Sequence, residues 1–244
     1  MMSGEERSTR NPQRSRGLLY GRRKGKPLKP KRASAYAAGI TEHQIDLSKP
    51  IKSMADMFED PVSAVAMEIG FGAGEHLLHQ LALRPDFGFI GCEPFHNGMA
   101  SLIGKLVEHP DAGRVAVHEG DAREIIALLP ANFLTQVFLL YPDPWPKTRH
   151  EKRRFIAGDT LTALARVMVE GSELRVATDI DVYKKTVLKA VANSPYFSLK
   201  ERETWQPWAD WQSTRYETKA LRAGRTPSYY SLVRTHDPIK QRRP

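Results

Sequence analysis

The chain has one cysteine in 244 residues, Cys92. An internal disulfide and a cysteine-based zinc site are both excluded, and a reducing, cytoplasmic setting is the expectation. Long hydrophobic runs are also missing. No apolar stretch approaches the ~20 residues of a membrane span, so no membrane partner is expected. The basic N-terminus is not followed by an apolar segment, which argues against a secretory signal. The eight histidines show no consistent ligand spacing, and no metal is expected. Most of the chain lacks net charge as well. The formal total is +9, but residues 1–32 hold 11 basic and two acidic residues, whereas the other 212 hold 26 of each. A neutral body that is part of a 41% hydrophobic chain has enough apolar side chains to bury a core. The expected organisation is a disordered basic arm over 1–32 and a single domain over 33–244. The arm itself suggests a polyanionic partner. Nothing distinguishes a monomer from a homodimer.

What the body does have is regular alternation. Apolar strand-like runs occur at 64–69, 88–92, 114–118, 136–141 and 174–177. Between them lie segments with apolar residues at helical spacing, such as Met99, Leu102, Ile103 and Leu106. This predicts an α/β fold, a mostly parallel sheet with helices on both faces. Residues 195–235 read as a strand, a loop rich in Trp and Pro, a short helix and a last strand.

An acidic residue sits at or just past the carboxyl end of each of the first five strands: Glu68, Glu93, Asp121, Asp143 and Asp179. Open parallel sheets bind ligands outside those ends, so these side chains converge on one rim. The first is followed by a glycine loop, Glu68-Ile69-Gly70-Phe71-Gly72-Ala73-Gly74. A dinucleotide fingerprint needs a third glycine where this chain has Glu75, and an anion there repels pyrophosphate. A cation-bearing cofactor without phosphate, S-adenosylmethionine, suits the acids better. In that reading Gly70, Gly72 and Gly74 let backbone approach the cofactor. Glu93 accepts both ribose hydroxyls, and Asp121 with Ala122 meets the adenine amino group.

The fourth strand runs into Tyr141-Pro142-Asp143-Pro144-Trp145-Pro146-Lys147. Three prolines fix φ and remove three donors, which makes a stiff loop suited to holding a reactant. Asp143 is an acceptor-only carboxylate, matched to the paired N1–H and N2–H donors of guanine. The basic run Lys147, Arg149, Lys152, Arg153 and Arg154 opens a helix and suits phosphate contacts. Arg215, Lys219, Arg222 and Arg225 are further phosphate candidates.

The segment Pro142-Asp143-Pro144-Trp145-Pro146-Lys147-Thr148-Arg149-His150-Glu151-Lys152-Arg153-Arg154 resembles the signature of bacterial tRNA (guanine-N7-)-methyltransferases. Glu68 to Gly72, Ala177-Thr178-Asp179 and Thr214-Arg215-Tyr216-Glu217 extend the resemblance over roughly residues 60–235. It implies a Rossmann-like class I methyltransferase fold with seven strands, the last antiparallel. It also implies methylation of the guanosine at position 46, in the tRNA variable loop. Carried over to this chain, Glu68, Glu93, Asp121 and Asp143 are the cofactor-contacting acids, with Asp143 also the proposed catalytic residue. Lys147, Asp179, Thr214, Arg215, Tyr216 and Glu217 are the implied substrate-binding positions. The chain departs from the family pattern after Glu217, where Thr218 to Arg225 forms a longer basic element.

Overall fold

A computed structural model describes residues 23–201 and 204–236. Its sheet has seven strands: β1 (Ala64–Ile69), β2 (Phe87–Cys92), β3 (Val115–His118), β4 (Leu134–Leu140), β5 (Met168–Thr178), β6 (Phe197–Leu199) and β7 (Ser228–Arg234). Their order is β3-β2-β1-β4-β5-β7-β6. The first five are parallel neighbours, and β7 runs antiparallel to both β5 and β6. After β3 the chain returns across β1 to lay down β4. The strand order therefore reverses between β1 and β4, and a crevice opens beyond their carboxyl ends.

Among the described residues, seven α-helices complete the fold: α1 (Pro30–His43), α2 (Glu75–Leu83), α3 (His96–Leu106), α4 (Ala122–Leu128), α5 (Gly158–Val167), α6 (Asp181–Ala192) and α7 (Arg215–Arg222). One face of the sheet packs on α4, α5 and α6 through Ile125, Leu161, Leu164, Tyr183 and Val187. The other packs on α2 and α3 through Leu77, Leu81, Met99, Leu102 and Ile103. Covering both faces explains why β1 reads as Ala-Val-Ala-Met-Glu-Ile, a continuous run without polar alternation. Each large apolar side chain buried this way contributes about 1.5–3 kcal/mol.

The expected strand positions agree with the structure, and 195–235 resolves into β6, a loop, α7 and β7. Two expectations differ. The basic run after Lys147 forms a 3-10 helix, Thr148–Arg153, and the α-helix starts only at Gly158. Arg154 breaks the helix by turning extended, with ψ 141°, to bring its side chain beneath the preceding loop. The border expected at residue 32 also falls inside an element, because α1 begins at Pro30. Ahead of it, the His96 N–H donates to the Arg23 carbonyl (2.9 Å). The Gly25 N–H donates to Asn97 Oδ1 (2.8 Å), and Asn97 Nδ2 donates to the Lys26 carbonyl (2.8 Å). The first of these bonds satisfies the His96 N–H at the start of α3, which has no side-chain cap of its own, and the other two hold the segment through the Asn97 side chain. The remainder of the expected arm, residues 1–22, lies outside the described residues.

Where β4 and β5 run past α2, the sheet is covered by the loop after β6. Trp208 is buried and donates its Nε1–H to Ser231 Oγ (2.9 Å). Asp210 locks the loop by accepting from Arg84 Nη2 (2.6 Å) and Arg175 Nη1 (2.7 Å). Burial alone would raise the Asp210 carboxyl, but Arg175 and Arg84 outweigh it and hold its pKa below the ordinary value. We predict that Asp210→Ala destabilises the fold by about 2 kcal/mol, because two partly buried guanidinium groups lose a charged partner. Denaturant titration checks this. The difference from native is complete above the ordinary aspartate pKa of about 3.9 and shrinks as pH falls through the lowered folded value.

Candidate functional site

The crevice beyond β1 and β4 holds a cavity of about 740 Å³, in the range of small-molecule sites. Its walls come from the loop after β1, the end of β2, α3, the start of α4, the proline loop after β4, and α7. Among the expected residues, Gly70, Gly72, Glu93, Asp121, Ala122, Asp143, Arg215 and Tyr216 border it.

The glycine loop is shaped by close approach. Gly70 and Gly72 have φ of 74° and 62°, the left-handed region that favours glycine. A Cβ on Gly98 would lie 2.3 Å from the Gly72 carbonyl oxygen, so α3 sits directly on the loop. Glu93 secures it from below, since Oε2 accepts the Gly72 N–H (2.7 Å) and Oε1 the Phe95 N–H (2.9 Å). Burial pushes the Glu93 carboxyl up to about 7. Those two N–H groups oppose the shift, and the nearby charges of Asp143 and Glu68 add to it. Asp121 caps α4 by accepting the Arg123 N–H (3.0 Å), and its other oxygen takes Arg123 Nη1 (3.1 Å).

Asp143 stands at the mouth of the cavity, exposed to solvent, with no hydrogen-bond or ion-pair partner among the described residues. Partial enclosure by protein raises its carboxyl above the ordinary value. The loop that carries it is strained at both ends. Tyr141 and Trp145 have φ of 50° and 39°, uncommon for bulky residues. Arg154 anchors this geometry. It is 4% exposed, and donates from Nε to the Pro144 carbonyl (3.1 Å), from Nη2 to that of Trp145 (3.1 Å) and from Nη1 to Thr186 Oγ1 (2.8 Å). Arg154 therefore supports the loop from within and is not available to phosphate, contrary to the sequence expectation. Arg153 borders the cavity instead, 4.9 Å from the centre of the Trp145 ring.

Six expected site residues lie off the cavity wall. Glu68 is 2% exposed and turns behind the glycine loop, where its Oε2 accepts from His76 Nδ1 (2.9 Å). Gly74 starts α2 with φ 79°, and a Cβ there would sit 2.7 Å from Leu102 Cδ1. Lys147 precedes the 3-10 helix at the surface. Asp179 pairs with Arg225, Oδ2 to Nε at 2.5 Å. Thr214 caps α7 by accepting the Glu217 N–H (3.2 Å). Glu217 is 5% exposed and accepts from Trp211 Nε1 (3.0 Å) and from the Tyr229 hydroxyl. Thr-x-x-Glu ahead of a helix is the spacing of a capping box, the signal that pointed to a structural role.

Other wall residues were not singled out: Arg23, Arg32, Asn97, Ser101, Lys105 and Phe155. Sequence alone places Arg23 and Arg32 in the arm, and only the fold shows that this segment reaches the cavity. Among the described residues, no group of three His, Cys, Asp or Glu is arranged to hold a metal ion. None of their helices is long and apolar enough to cross a membrane.

The buried position of Glu217 is testable. Glu217→Ala leaves the Trp211 and Tyr229 donors unsatisfied, and should cost about 3 kcal/mol of stability. An unchanged denaturation midpoint would return Glu217 to a surface role.

Residues 63–229 match a family described as "Putative methyltransferase". A tRNA (guanine-N(7)-)-methyltransferase from Mesorhizobium japonicum is 43% identical over 227 residues, 91% of this chain and 97% of that protein. Proteins of the same name from Roseobacter denitrificans and Ruegeria sp. are 43% and 46% identical. They cover 96% and 88% of this chain, and 100% and 87% of their own lengths. Among solved structures, the 16S rRNA (adenine(1408)-N(1))-methyltransferase from Catenulisporales acidiphilia superposes with a TM-score of 0.53. It is 14% identical, covering 79% of this chain and 94% of that one. An antibiotic-related methyltransferase gives 0.51 at 16% identity, covering 79% and 99%. These likenesses agree with the seven-stranded Rossmann-like fold. The match to the family over most of the domain, and to relatives along nearly their whole length, places the chain in the tRNA (guanine-N(7)-)-methyltransferase family.

Proposed function

We propose that the chain transfers the methyl group of S-adenosylmethionine to N7 of a guanine in tRNA, at the variable-loop guanosine of position 46. The observation that carries this reading is Asp143, an unpartnered carboxylate on a stiffened loop at the mouth of the cavity. The basic residues ahead of Arg23 serve as an arm that adds phosphate attraction to a single catalytic domain, which includes Arg23 to Lys26 through their contacts with α3.

The wall suits this cofactor. Gly70 and Gly72 leave bare backbone for close contact, and the acids Glu93 and Asp121 favour a ligand without phosphate. Each Glu93 oxygen already accepts one N–H, and its remaining lone pairs accept the two ribose hydroxyls. Asp121 with Ala122 takes the adenine amino group. Gly70 forms part of the same wall, while Glu68 and Gly74 act from behind it. Bound there, the cofactor supplies an electrophilic methyl group on a sulfonium.

Guanine N7 has an in-plane lone pair and no proton to lose, so the chain need not supply a base. Its task is position and electrostatics. Asp143 accepts N1–H and N2–H and thereby orients the ring. Two donors also favour its ionised form against the partial burial that raises its pKa. Tyr216 and Trp145 give the mouth aromatic walls. Arg215 and Lys147 meet the surrounding RNA backbone, with Arg149 and Lys152 beside Lys147. Asp179 takes part once its pairing with Arg225 opens.

The direct test is incubation of the full chain with labelled cofactor and bulk tRNA, then nucleoside analysis and chain scission at the modified base. N7-methylguanosine at position 46 is expected. Methylation of another base or position would overturn the reading. Asp143→Ala should lower turnover at least about 100-fold while changing the Kd of S-adenosylhomocysteine far less. Near-native turnover would remove Asp143 from the reaction.

Glu93 makes cofactor binding pH-dependent. A ligand that donates to its carboxylate selects the ionised form, so binding releases a proton where the free group is protonated. With the free group near 7, the Kd of S-adenosylhomocysteine should tighten by about tenfold from about pH 6 to about pH 8. Calorimetry on native protein and Glu93→Gln checks this, and the variant should show a flat profile.

A further inference from the structure

We propose a phosphate subsite beside the cofactor cavity, built by Lys105 and Arg32 together with Arg215 and taking a backbone phosphate of the RNA. It rests on the tRNA reading above and adds a contact at the wall of the same cavity.

Three elements deliver these cations to one wall. Arg32 is in the first turn of α1, Lys105 in the last turn of α3 and Arg215 at the start of α7. All three side chains border the cavity and belong to exposed residues. Glycines let α1 lie close on α3, because a Cβ on Gly39 would come within 2.9 Å of Ile103 Cγ2. Lys105 donates Nζ to the Ala73 carbonyl (2.7 Å), which sets its ammonium against the glycine loop. Arg215 reaches the same place from the other side, with Nε 3.3 Å from Glu75 Oε1.

Charge is the argument. Arg215 and Lys105 share the field of one carboxylate, Glu75, and Arg32 adds its charge beside Lys105 with no acidic partner among the described residues. Burial lowers the Lys105 pKa, and Arg215 and Arg32 lower it further against the opposing pull of Glu75. A surplus of this kind is relieved by an oxyanion. The methionyl carboxylate of the cofactor and an RNA phosphate share that chemistry, and the surface beyond the cluster favours phosphate. Arg215, Lys219 and Arg222 follow i, i+4, i+7 spacing along α7, so the cluster continues outward as a cationic stripe. A single carboxylate has no use for the stripe, whereas a phosphodiester chain does.

The test compares native full-length protein with Lys105→Gln, Arg32→Gln and the double variant. Binding of unfractionated tRNA is measured from about 50 to about 200 mM salt, and binding of S-adenosylhomocysteine by calorimetry. The double variant should weaken tRNA binding about tenfold at the lowest salt and reduce the log–log salt slope by about one. Its S-adenosylhomocysteine Kd should stay within about twofold of native. Lys105→Arg should bind tRNA like the native protein, with thermal melts confirming that each variant folds. Loss of S-adenosylhomocysteine affinity with intact tRNA binding would assign the cluster to the cofactor carboxylate and overturn the proposal. No change in either, or a folded Lys105→Arg as weak as Lys105→Gln, would also overturn it. If the native protein binds tRNA with a steep salt slope yet leaves no N7-methylguanosine, the proposed reaction fails while the subsite stands.

Discussion

Glu93 clasps two backbone N–H groups, those of Gly72 and Phe95, and the rest of the cavity is laid out from that clasp. It ties the loop after β1 to the end of β2, across the point where the strand order reverses. With the loop fixed, Gly98 can press against the Gly72 carbonyl, and the first turn of α3 closes over it. That turn then receives Arg23 to Lys26, so the segment ahead of α1 is held by the same chain of contacts. On the other side Tyr216 packs against Gly72, 3.4 Å from where a Cβ would stand. The cost is a carboxylate taken largely out of water, seen in its raised pKa. A ligand that donates to the remaining lone pairs relieves this cost, so in the proposed reading one group both builds the cradle and recognises what enters it.

The proline loop is organised from the opposite face of the sheet. Pro142, Pro144 and Pro146 cannot donate, and Tyr141 and Trp145 occupy left-handed backbone that costs about 1–3 kcal/mol each. Hydrogen bonds to a charged donor contribute about 1.5–3 kcal/mol, and Arg154 makes two of them to this loop and a third to Thr186 on α6. The strain at the Asp143 mouth is thus offset by a buried arginine anchored in the helical layer. Asp143 itself is left without a partner among the described residues, which keeps its acceptors open.

Much of this arrangement was legible in the sequence. Strands covered on both faces appear as apolar runs, and acids at their ends mark the rim. Less legible was which way each acid points. Val65, Met67 and Ile69 face the α4–α6 layer and Ala66 the α2–α3 layer. Strand alternation therefore sends Glu68 toward α2, where His76 meets it. Glu93 lies one residue beyond the end of β2, free of the alternation, and turns into the cavity. The Thr214–Glu217 spacing carried a helix-start signal that the family resemblance overshadowed. For Arg154 and Arg32 no local pattern exists. One basic run looks like another until the fold buries the first residue and carries the second to a cavity wall formed 70 residues away in sequence.

The neutrality of the body conceals a division of labour. Glu93, Asp121 and Asp143 line the cavity together with Arg32, Lys105 and Arg215, and the basic residues continue along α7. Unit charges 4 Å apart interact by about 4 kcal/mol at the effective dielectric of a protein surface. A phosphate forced among the acids pays that price, whereas an uncharged base does not. In the proposed reading the rim therefore holds the RNA backbone while the acids keep it from sinking further, and only a base can cross. In the same reading the acids turn away phosphate-bearing dinucleotides and favour a cofactor whose charge is positive. With both acids and cations on its wall, one cavity can in this reading sort its two ligands by charge before shape or hydrogen bonding is consulted.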